Sequence, residues 1–245
     1  MTGAHTYAFP DTDLAPRLEC GLSLAASGCM GVQSGPENRK RLFRTAGIDP
    51  ASAVALTQIH SRIVRVAESA LAFADMPEGD GLITANDSLV PTVTVADCMP
   101  IWLLDPVSRW FGVLHSGWRG TGILRTALEL ASDEWGAKPE NLRVILGPHI
   151  RSCCYTVDAE RADYFRRGFG ESSVTLDAER AAANDRWPWR LSLAEANRNL
   201  ALSLGVLAEH IRDTGECTAC NPLYGSNRRQ GAPSFTRMLA WIRWR

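Results

Sequence analysis

The chain has 245 residues, of which 45% are hydrophobic and 22% are charged. This composition is ordinary for a globular protein and excludes intrinsic disorder, and residues 1–245 are expected to form a single domain. Because 26 basic residues are balanced by 27 acidic ones, there is no electrostatic basis for a nucleic-acid or membrane partner, and a small molecule is expected instead.

The sequence has no pattern typical of export or membrane insertion. Residues Met1 to Ala15 lack the basic flank and apolar core of a secretory signal. The longest apolar stretch, Met99 to Leu104, is far too short to span a bilayer. Seven cysteines without an export signal fit a reducing compartment better than a disulfide framework. We therefore expect a cytoplasmic protein, a monomer or a homodimer, whose thiols can serve as ligands or nucleophiles.

The first half of the chain is predicted to consist mainly of short strands. One helix is predicted at Glu37 to Ala46, because a glycine typical of a helix C-cap follows it. Apolar and alternating runs predict strands at Ala53 to Gln58, Ile63 to Val66, Gly81 to Thr84, Val90 to Val95, Ile101 to Leu104 and Trp110 to Leu114. The turn residues 105–108 between the last two predict a hairpin.

Helices become more frequent in the second half. A glycine-rich turn leads into a predicted helix from Ile123 to Trp135, and a strand is predicted at Arg143 to Leu146. Further helices are predicted at Asp158 to Arg167 and at Ser192 to Leu204, where the second begins with a capping box. Since strands and helices do not alternate regularly, the pattern favours an α/β (α+β) sandwich with mixed sheets over a doubly wound parallel fold.

Three side chains that bind soft or borderline metals lie at the ends of predicted strands: His60, Cys98 and His115. Strand ends can meet at one rim of a sheet, and two imidazoles with one thiolate leave the fourth position of a zinc ion open. Their spacing matches no short zinc motif. The residues alone therefore leave open that the cysteine is only buried core and that the histidines only make hydrogen bonds.

The sequence around these three residues resembles the signatures of the laccase-domain family. Residues 57–60 (TQIH) resemble Q-V-H, residues 95–100 (VADCMP) resemble T-A-D-C-x-P, and residues 115–120 (HSGWRG) resemble H-A-G-W-R-G, in the same order. Lesser matches lie at 37–39, 79–81, 146–148 and 217–218. Members of this family have been called polyphenol oxidases, purine nucleoside phosphorylases and peptidoglycan editing factors.

The resemblance implies both a fold and an activity. The implied fold is a four-layer sandwich with mixed β-sheets, in the superfamily of cysteine hydrolases related to cytotoxic necrotizing factor. The implied catalytic residues are His60, Cys98 and His115, which would bind Zn²⁺, or Cu²⁺ in some members. The implied reaction is phosphorolysis of adenosine, inosine or guanosine by phosphate to the base and ribose-1-phosphate, with adenosine deamination as a related reaction.

There are three alternatives to phosphorolysis, of which the first is disfavoured. A copper-dependent polyphenol oxidase is discounted, because strand alternation should turn Met99 away from Cys98 and five histidines are too few for a multicopper centre. A metal-free hydrolase or deamidase would use Cys98 as nucleophile and His115 as base, and a peptidoglycan-precursor editing enzyme is a related possibility. A non-catalytic protein that binds a metal or a nucleoside is the third.

Four residues are candidates for binding the substrates. Arg119 lies in a glycine-rich turn before a helix, which favours an anion, although it is equally suited to pairing with a structural carboxylate. Arg228 and Arg229 are a second candidate pair, for which a solvated or structural role is the alternative. Asp80, between two glycines, is suited to accept a hydrogen bond from a ribose hydroxyl or a purine amino group, or to cap a turn.

Two segments depart from the family pattern, and both contain or adjoin cysteines. Arg151 lies in a segment where the family usually continues I-G-P-C, and Gln230 stands where the family has aspartate. The C-x-x-C pair at Cys217 and Cys220 has no second such pair, and the adjacent residues 153–154 are poorly suited to share one tetrahedral site. Structural thiols are therefore predicted in both places.

Overall fold

The computed structural model describes residues 3–9, 17–31, 35–70 and 75–245. Most of residues 1–15, where no export signal is expected, lies outside the described part. The described strands are β1 Ala4–Tyr7, β2 Leu18–Ser23, β3 Ala53–Val54, β4 Val64–Val66, β5 Gly81–Thr84, β6 Val90–Val95, β7 Met99–Leu104, β8 Phe111–Ser116, β9 Arg143–Leu146, β10 Thr156–Val157, β11 Val174–Leu176, β12 Trp189–Leu191, β13 Ile211–Asp213 and β14 Met238–Trp244. The α-helices are α1 Pro36–Ala46, α2 Ile123–Trp135, α3 Ala159–Phe169, α4 Ala178–Ala182, α5 Leu193–Ser203 and α6 Asn227–Gln230.

Two large sheets, both of mixed strand direction, form the centre of the described structure. One has the order β1-β2-β14-β6-β3, in which the β3–β6 pair is parallel and the other pairs are antiparallel. The other has the order β13-β9-β7-β8-β5-β4, with parallel pairs at both edges. A small antiparallel sheet, β10-β12-β11, lies beside α3. The predicted mixed α/β architecture is confirmed.

The hydrophobic core divides these elements into layers. Helix α1 packs through Leu42 and Phe43 against Trp241 of the five-stranded sheet. The opposite face of that sheet packs on the six-stranded sheet, where Trp102 donates a hydrogen bond from Nε1 to the carbonyl of Trp241 at 2.9 Å. Helices α2 and α5 contact the far side of the six-stranded sheet, and α3 packs against α5 in the same core. The order is therefore helix, sheet, sheet, helices.

This layering explains why some strands show no polar alternation. Every residue of β7 and β8 is buried, because one face of these strands contacts the other sheet and the other face contacts helices. Helix α2, in contrast, buries only one stripe, with Ile123, Ala127 and Ala131 on the same side. None of the described helices is both long and apolar enough to cross a membrane.

The predicted bounds are confirmed where the pattern was strongest. Helix α2 and strand β9 have the expected ends, and α5 begins at the predicted cap, where Ser192 accepts a hydrogen bond from the Glu195 backbone N–H. The strands predicted at 53–58 and 63–66 were too long. They shrink to β3 and β4, because residues 55–63 form a loop in which Thr57 makes an isolated bridge to Glu78 and the Asp80 side chain binds the backbone at residues 59–61.

Candidate metal centre

Three segments bring His60, Cys98 and His115 together. Their potential ligand atoms all lie within 4.8 Å of one another, and the two imidazole rings meet edge to face with centroids 5.0 Å apart. His115 lies in β8, and Cys98 lies in the short connection by which the chain passes from β6 in one large sheet to β7 in the other. The cluster therefore sits where the two sheets join.

His60 reaches the cluster from a loop and not, as predicted, from a strand end. Its φ angle is 60°, a left-handed conformation that is uncommon for histidine. Gln58 anchors this loop to β6, because its amide accepts a hydrogen bond from the Thr94 N–H at 2.7 Å and donates one to the Thr94 carbonyl at 2.9 Å. The glutamine of the TQIH motif thus makes the two hydrogen bonds to the Thr94 backbone that a neighbouring strand would otherwise make.

Asp80 connects this loop to β8. Its buried carboxylate accepts hydrogen bonds from the backbone N–H groups of Ile59, His60 and Ser61 and from the Ser61 hydroxyl, at 2.6–3.3 Å. Nδ1 of His115 lies 2.8 Å from the same carboxylate. This contact fixes the proton on Nδ1 and leaves Nε2 available to a metal. The structure thus places Asp80 in contact with His115 and the His60 loop, and it lines neither of the two cavities that open onto the cluster.

Each charged group in the cluster stabilises the ionised form of its neighbour. Burial raises the pKa of the Cys98 thiol, but the charge of His115 and hydrogen bonds from both histidines lower it to about 6. Burial lowers the pKa of His115, but the Cys98 thiolate and Asp80 raise it to about 10. Burial opposes ionisation of Asp80, yet hydrogen bonds from His115 and Ser61 lower its pKa to about 2. Near neutral pH, the cysteine is therefore a thiolate, the form that binds metals.

Gly117 leaves the space that the cysteine sulfur occupies. A Cβ atom at this position would lie 2.7 Å from Sγ of Cys98 and 4.0 Å from the His60 ring. The HSGWRG motif therefore needs glycine at this position, because the sulfur of Cys98 lies too close to the backbone after β8 to leave room for a side chain.

Two cavities open onto the cluster. The larger, of about 530 Å³, is lined by all three residues of the cluster and by Arg39 and Arg237. Nε of Arg39 is buried and has no hydrogen-bond partner among the described residues. This cavity therefore has positive charge available for an anion.

The smaller cavity has a more aromatic lining. It measures about 350 Å³ and is lined by His60 and Cys98 together with Trp118, Tyr155 and Arg228. Burial and the neighbouring Cys98 charge raise the pKa of Tyr155 to about 12, so its hydroxyl keeps its proton at neutral pH. The cluster thus lies between a cavity with two arginines and a smaller cavity with Trp118, Tyr155 and one arginine.

The three predicted arginines have different environments. Arg119 is exposed over the Trp118 ring, with 5.0 Å between guanidinium carbon and ring centroid, and it lines neither cavity. Arg228 lines the smaller cavity, and its backbone N–H donates to Asp97 at 2.6 Å. Arg229 donates to backbone carbonyls at residues 218, 219 and 221. Its contacts are those of a residue that holds a loop.

Sequence reasoning missed several residues around the cluster. Arg39 belongs to one of the lesser family matches and Arg237 to the C-terminal segment that resembles the family pattern, which were usable signals, but no pattern singled out Tyr155. The C-x-x-C pair has no second such pair in the sequence, but the structure brings the adjacent residues 153–154 to it. The four sulfurs all lie within 4.8 Å of one another.

Both the sequence and the fold resemble those of known proteins. The family described as multi-copper polyphenol oxidoreductase laccase matches residues 32–245. The chain is 32% identical to a protein named purine nucleoside phosphorylase YlmD from Geobacillus stearothermophilus, over 89% of this chain and 83% of that protein. It is 30% identical to mouse purine nucleoside phosphorylase LACC1, over 76% of this chain and 42% of that protein.

Solved structures resemble the whole described fold. The crystal structure of YlmD from Geobacillus stearothermophilus has a TM-score of 0.84 at 28% identity, covering 96% of this chain and 94% of that one. The hypothetical protein YfiH of Bacillus licheniformis also has a TM-score of 0.84, at 26% identity, covering 95% and 94% of the two chains. The mixed sheets and their layering are therefore common to these proteins.

Proposed function

Because the chain belongs to the multi-copper polyphenol oxidoreductase laccase family and resembles relatives named purine nucleoside phosphorylase, we propose that it phosphorolyses purine nucleosides. The observation that carries this proposal is the position of His60, Cys98 and His115 between two cavities of different chemistry. A reaction between a phosphate and an aromatic base joined to ribose needs both chemistries at one place. The proposed products are the free purine and ribose-1-phosphate.

The larger cavity is the proposed phosphate site. Arg39 and Arg237 line it, and a guanidinium pairs with phosphate oxygens through two parallel hydrogen bonds. Arg237 also rests on the Phe235 ring, with 4.3 Å between guanidinium carbon and ring centroid, which limits its motion. Neither arginine was a sequence candidate, whereas Arg119 and Arg229 lie outside this cavity.

The smaller cavity is the proposed nucleoside site. Trp118 and Tyr155 provide aromatic surface for the base, and the Trp118 ring is held by the Arg161 guanidinium at 4.3 Å. Since Tyr155 stays protonated, its hydroxyl can donate a hydrogen bond to the purine. Arg228 lines the same cavity and is the one sequence-predicted arginine that we retain as a substrate ligand.

In the proposed reaction, the reacting carbon is C1′ of the ribose, which would lie beside the cluster. A phosphate oxygen forms a bond to C1′ of the ribose as the bond from C1′ to the purine nitrogen breaks. The departing base takes the bonding electron pair and the proton that the hydrogen phosphate loses. His60, Cys98 and His115 would hold zinc, since two imidazoles and a thiolate suit this ion and leave a position open. When bound, zinc supplies Lewis acidity at this point. Asp80 orients His115, and the arginines hold the phosphate.

Phosphate-dependent release of the base tests the proposal. Zinc-loaded protein should convert inosine, guanosine or adenosine to the base and ribose-1-phosphate, as measured by chromatography of both products. His115→Ala and Cys98→Ala should each lower the rate at least 100-fold, and conversion of adenosine to inosine without phosphate would reveal deamination. No ribose-1-phosphate from any of the three nucleosides would refute the proposal.

Arg39 provides a sharper test of the phosphate site. Arg39→Met should raise the KM for phosphate by about 10-fold or more, because a charged hydrogen bond is worth about 1.5–3 kcal/mol, with little change in the KM for nucleoside. Arg119→Met removes an exposed guanidinium that lines neither cavity and is the matched control. Equal effects of the two variants on phosphate binding would contradict the assignment.

A cysteine hydrolase or deamidase is the second candidate, and one observation favours it. Cys98, His115 and Asp80 form a line of thiolate, imidazole and carboxylate like that of a cysteine nucleophile with its base and orienting acid. The proposed superfamily relationship to cytotoxic necrotizing factor points the same way. Metal-free protein should then hydrolyse an amide substrate through a covalent Cys98 intermediate. Zinc bound one to one by the three side chains would count against it.

A further inference from the structure

Four cysteines form a second cluster, apart from His60, Cys98 and His115. Cys153 and Cys154 come from the segment between β9 and β10, and Cys217 and Cys220 follow β13. The sulfur of Cys220 lies 3.6 Å from that of Cys153 and 3.3 Å from that of Cys154, and the two adjacent cysteines have their sulfurs 3.8 Å apart.

Two of these distances, 3.8 and 3.6 Å, match the sulfur spacing of one tetrahedral metal site, and the third, 3.3 Å, is shorter. With zinc–sulfur bonds of about 2.3 Å, neighbouring sulfurs of a tetrahedral zinc site lie about 3.8 Å apart. The adjacent pair, which sequence reasoning considered unsuited to share a site, meets this spacing because both sulfurs turn to the same side of the chain. Cys217 completes the set, with all four sulfurs inside 4.8 Å.

The surroundings suit a negatively charged thiolate site. The Arg151 backbone N–H points at the sulfur of Cys217, 3.5 Å away. Three guanidinium groups bind carbonyls of the cysteine segments: Arg190 on Cys153 at 3.0 Å, Arg228 on Cys154 at 2.6 Å and Arg229 on Ala219 at 3.1 Å. Four thiolates around a divalent cation carry a net charge of about −2, which nearby arginines stabilise.

We propose that Cys153, Cys154, Cys217 and Cys220 bind a structural zinc ion as four thiolates. Binding displaces the thiol protons and needs no oxidant. All four positions of the ion are filled by protein, as in structural zinc sites and unlike the three-ligand cluster, which keeps a position open. The proposal does not depend on phosphorolysis.

The ion would fix one wall of the smaller cavity. Tyr155 follows the cysteine pair directly and lines that cavity, and Arg228 bridges from the Cys154 carbonyl to the same lining. On the other segment, Thr218 donates a hydrogen bond to Asp97, the residue before Cys98, at 2.7 Å. Both zinc-binding segments therefore contact the neighbourhood of the first cluster.

Metal analysis of variants separates the two sites. Protein purified anaerobically is expected to hold two zinc ions per chain, His60→Ala/Cys98→Ala one, and Cys217→Ser/Cys220→Ser one. Cys29→Ser, which removes a cysteine of neither cluster, should leave two. Cobalt added to metal-free His60→Ala/Cys98→Ala should give intense sulfur-to-cobalt charge-transfer absorption, even if the cysteine-cluster variant fails to fold.

These metal measurements test the four-cysteine site separately from the proposed phosphorylase activity. Cobalt absorption and one zinc in His60→Ala/Cys98→Ala establish the four-cysteine site whether or not wild type cleaves nucleosides. No zinc and no charge-transfer band in this folded variant, with the four thiols titrating as free, would overturn the inference. A disulfide between Cys154 and Cys220 in anaerobic protein, found by mass spectrometry, would overturn it equally.

Discussion

The two backbone positions that aim the cluster are both in uncommon conformations. His60 has φ 60° and Asp97, the residue before Cys98, has φ 81°. Such positions cost about 1–3 kcal/mol each and persist where surrounding contacts hold them. Asp80 binds the backbone at His60, and Asp97 binds the Thr218 hydroxyl and the Arg228 backbone. Buried carboxylates thus hold the chain in the conformation that presents the ligands.

Gly117→Ala tests how closely the cysteine sulfur approaches the chain. Its Cβ would lie 2.7 Å from Sγ of Cys98, so we expect at least a 10-fold loss of zinc affinity at the first cluster, measured by chelator competition. Gly168→Ala, at an exposed position in α3 with no atom near the added Cβ, is the control and should stabilise the helix by up to about 1 kcal/mol. Unchanged zinc affinity in Gly117→Ala would contradict the geometry.

Asp80→Asn tests the positioning role of the carboxylate. Loss of the charge that orients His115 should weaken zinc binding or turnover by about 10- to 100-fold. In addition, the side-chain NH₂ of asparagine cannot accept the hydrogen bonds that backbone N–H groups donate to the carboxylate. The loop that contains His60 should therefore loosen, and its backbone amides should exchange faster. The measurement is zinc affinity together with hydrogen exchange at residues 59–61. A variant with weaker turnover but unchanged exchange would limit the role of Asp80 to His115.

The pKa of Asp80 also predicts how stability changes in acid. Folding lowers it from 3.8 to about 2, so the ionised carboxylate stabilises the fold fully above pH about 4. This contribution, of the order of 2 kcal/mol, is lost as the pH falls through about 2. Urea unfolding of metal-free protein between pH 5 and 2 should therefore show a smaller loss of stability in Asp80→Asn than in wild type. Equal slopes would contradict the shift.

At the scale of elements, periodic patterns predicted the regular helices and strands well. Helix α2 has an uninterrupted apolar stripe and a glycine at each end, and β9 is a short apolar run. Residues 55–58 were misread as strand, because Leu56 is buried like a strand residue although the Gln58 side chain anchors this loop to β6. Local pattern cannot distinguish burial in a strand from burial in a loop held by side chains.

The β7–β8 hairpin joins Cys98 to His115, and Asp105 forms its turn. The fully buried Asp105 carboxylate accepts hydrogen bonds from the Val107 and Ser108 backbone and from the Ser108 hydroxyl. Asp105→Ala should lower the free energy of unfolding by about 1–3 kcal/mol, measured in urea. Asp87→Ala, at an exposed turn, should change it by less than about 0.5 kcal/mol. Comparable losses in both would contradict the role of the buried turn.

At the scale of the molecule, the first cluster was predictable and the second was not. The motifs around His60, Cys98 and His115 mark these residues as parts of one site, so the sequence was enough to predict that they lie close together. The four-cysteine cluster joins two segments that lie far apart in the chain, and a C-x-x-C pair with an adjacent pair matches no common spacing. Its formation depends on β9 and β13 being neighbours in one sheet, which single-sequence patterns do not reveal.

Packing of the two large sheets predicts cooperative unfolding. We propose that residues 1–245 form one domain, so heating should give a single calorimetric transition. Trp102→Phe removes the hydrogen bond from one sheet to the Trp241 carbonyl of the other and should shift that transition down by several degrees, a loss of about 1–3 kcal/mol. Trp187→Phe, at an exposed ring, is the control. Two separate calorimetric transitions, of which Trp102→Phe shifts only one, would contradict the proposal that the chain forms a single domain.

The position of β14 has a consequence for how the protein is made. This strand lies between β2 and β6 in the five-stranded sheet, although the ribosome synthesises it long after both. Until residue 244 emerges, β2 and β6 therefore expose unpaired edges, which invite pairing with other chains. Nascent chains stalled before β14 should depend on chaperones to stay dispersed, and released full-length chains should not.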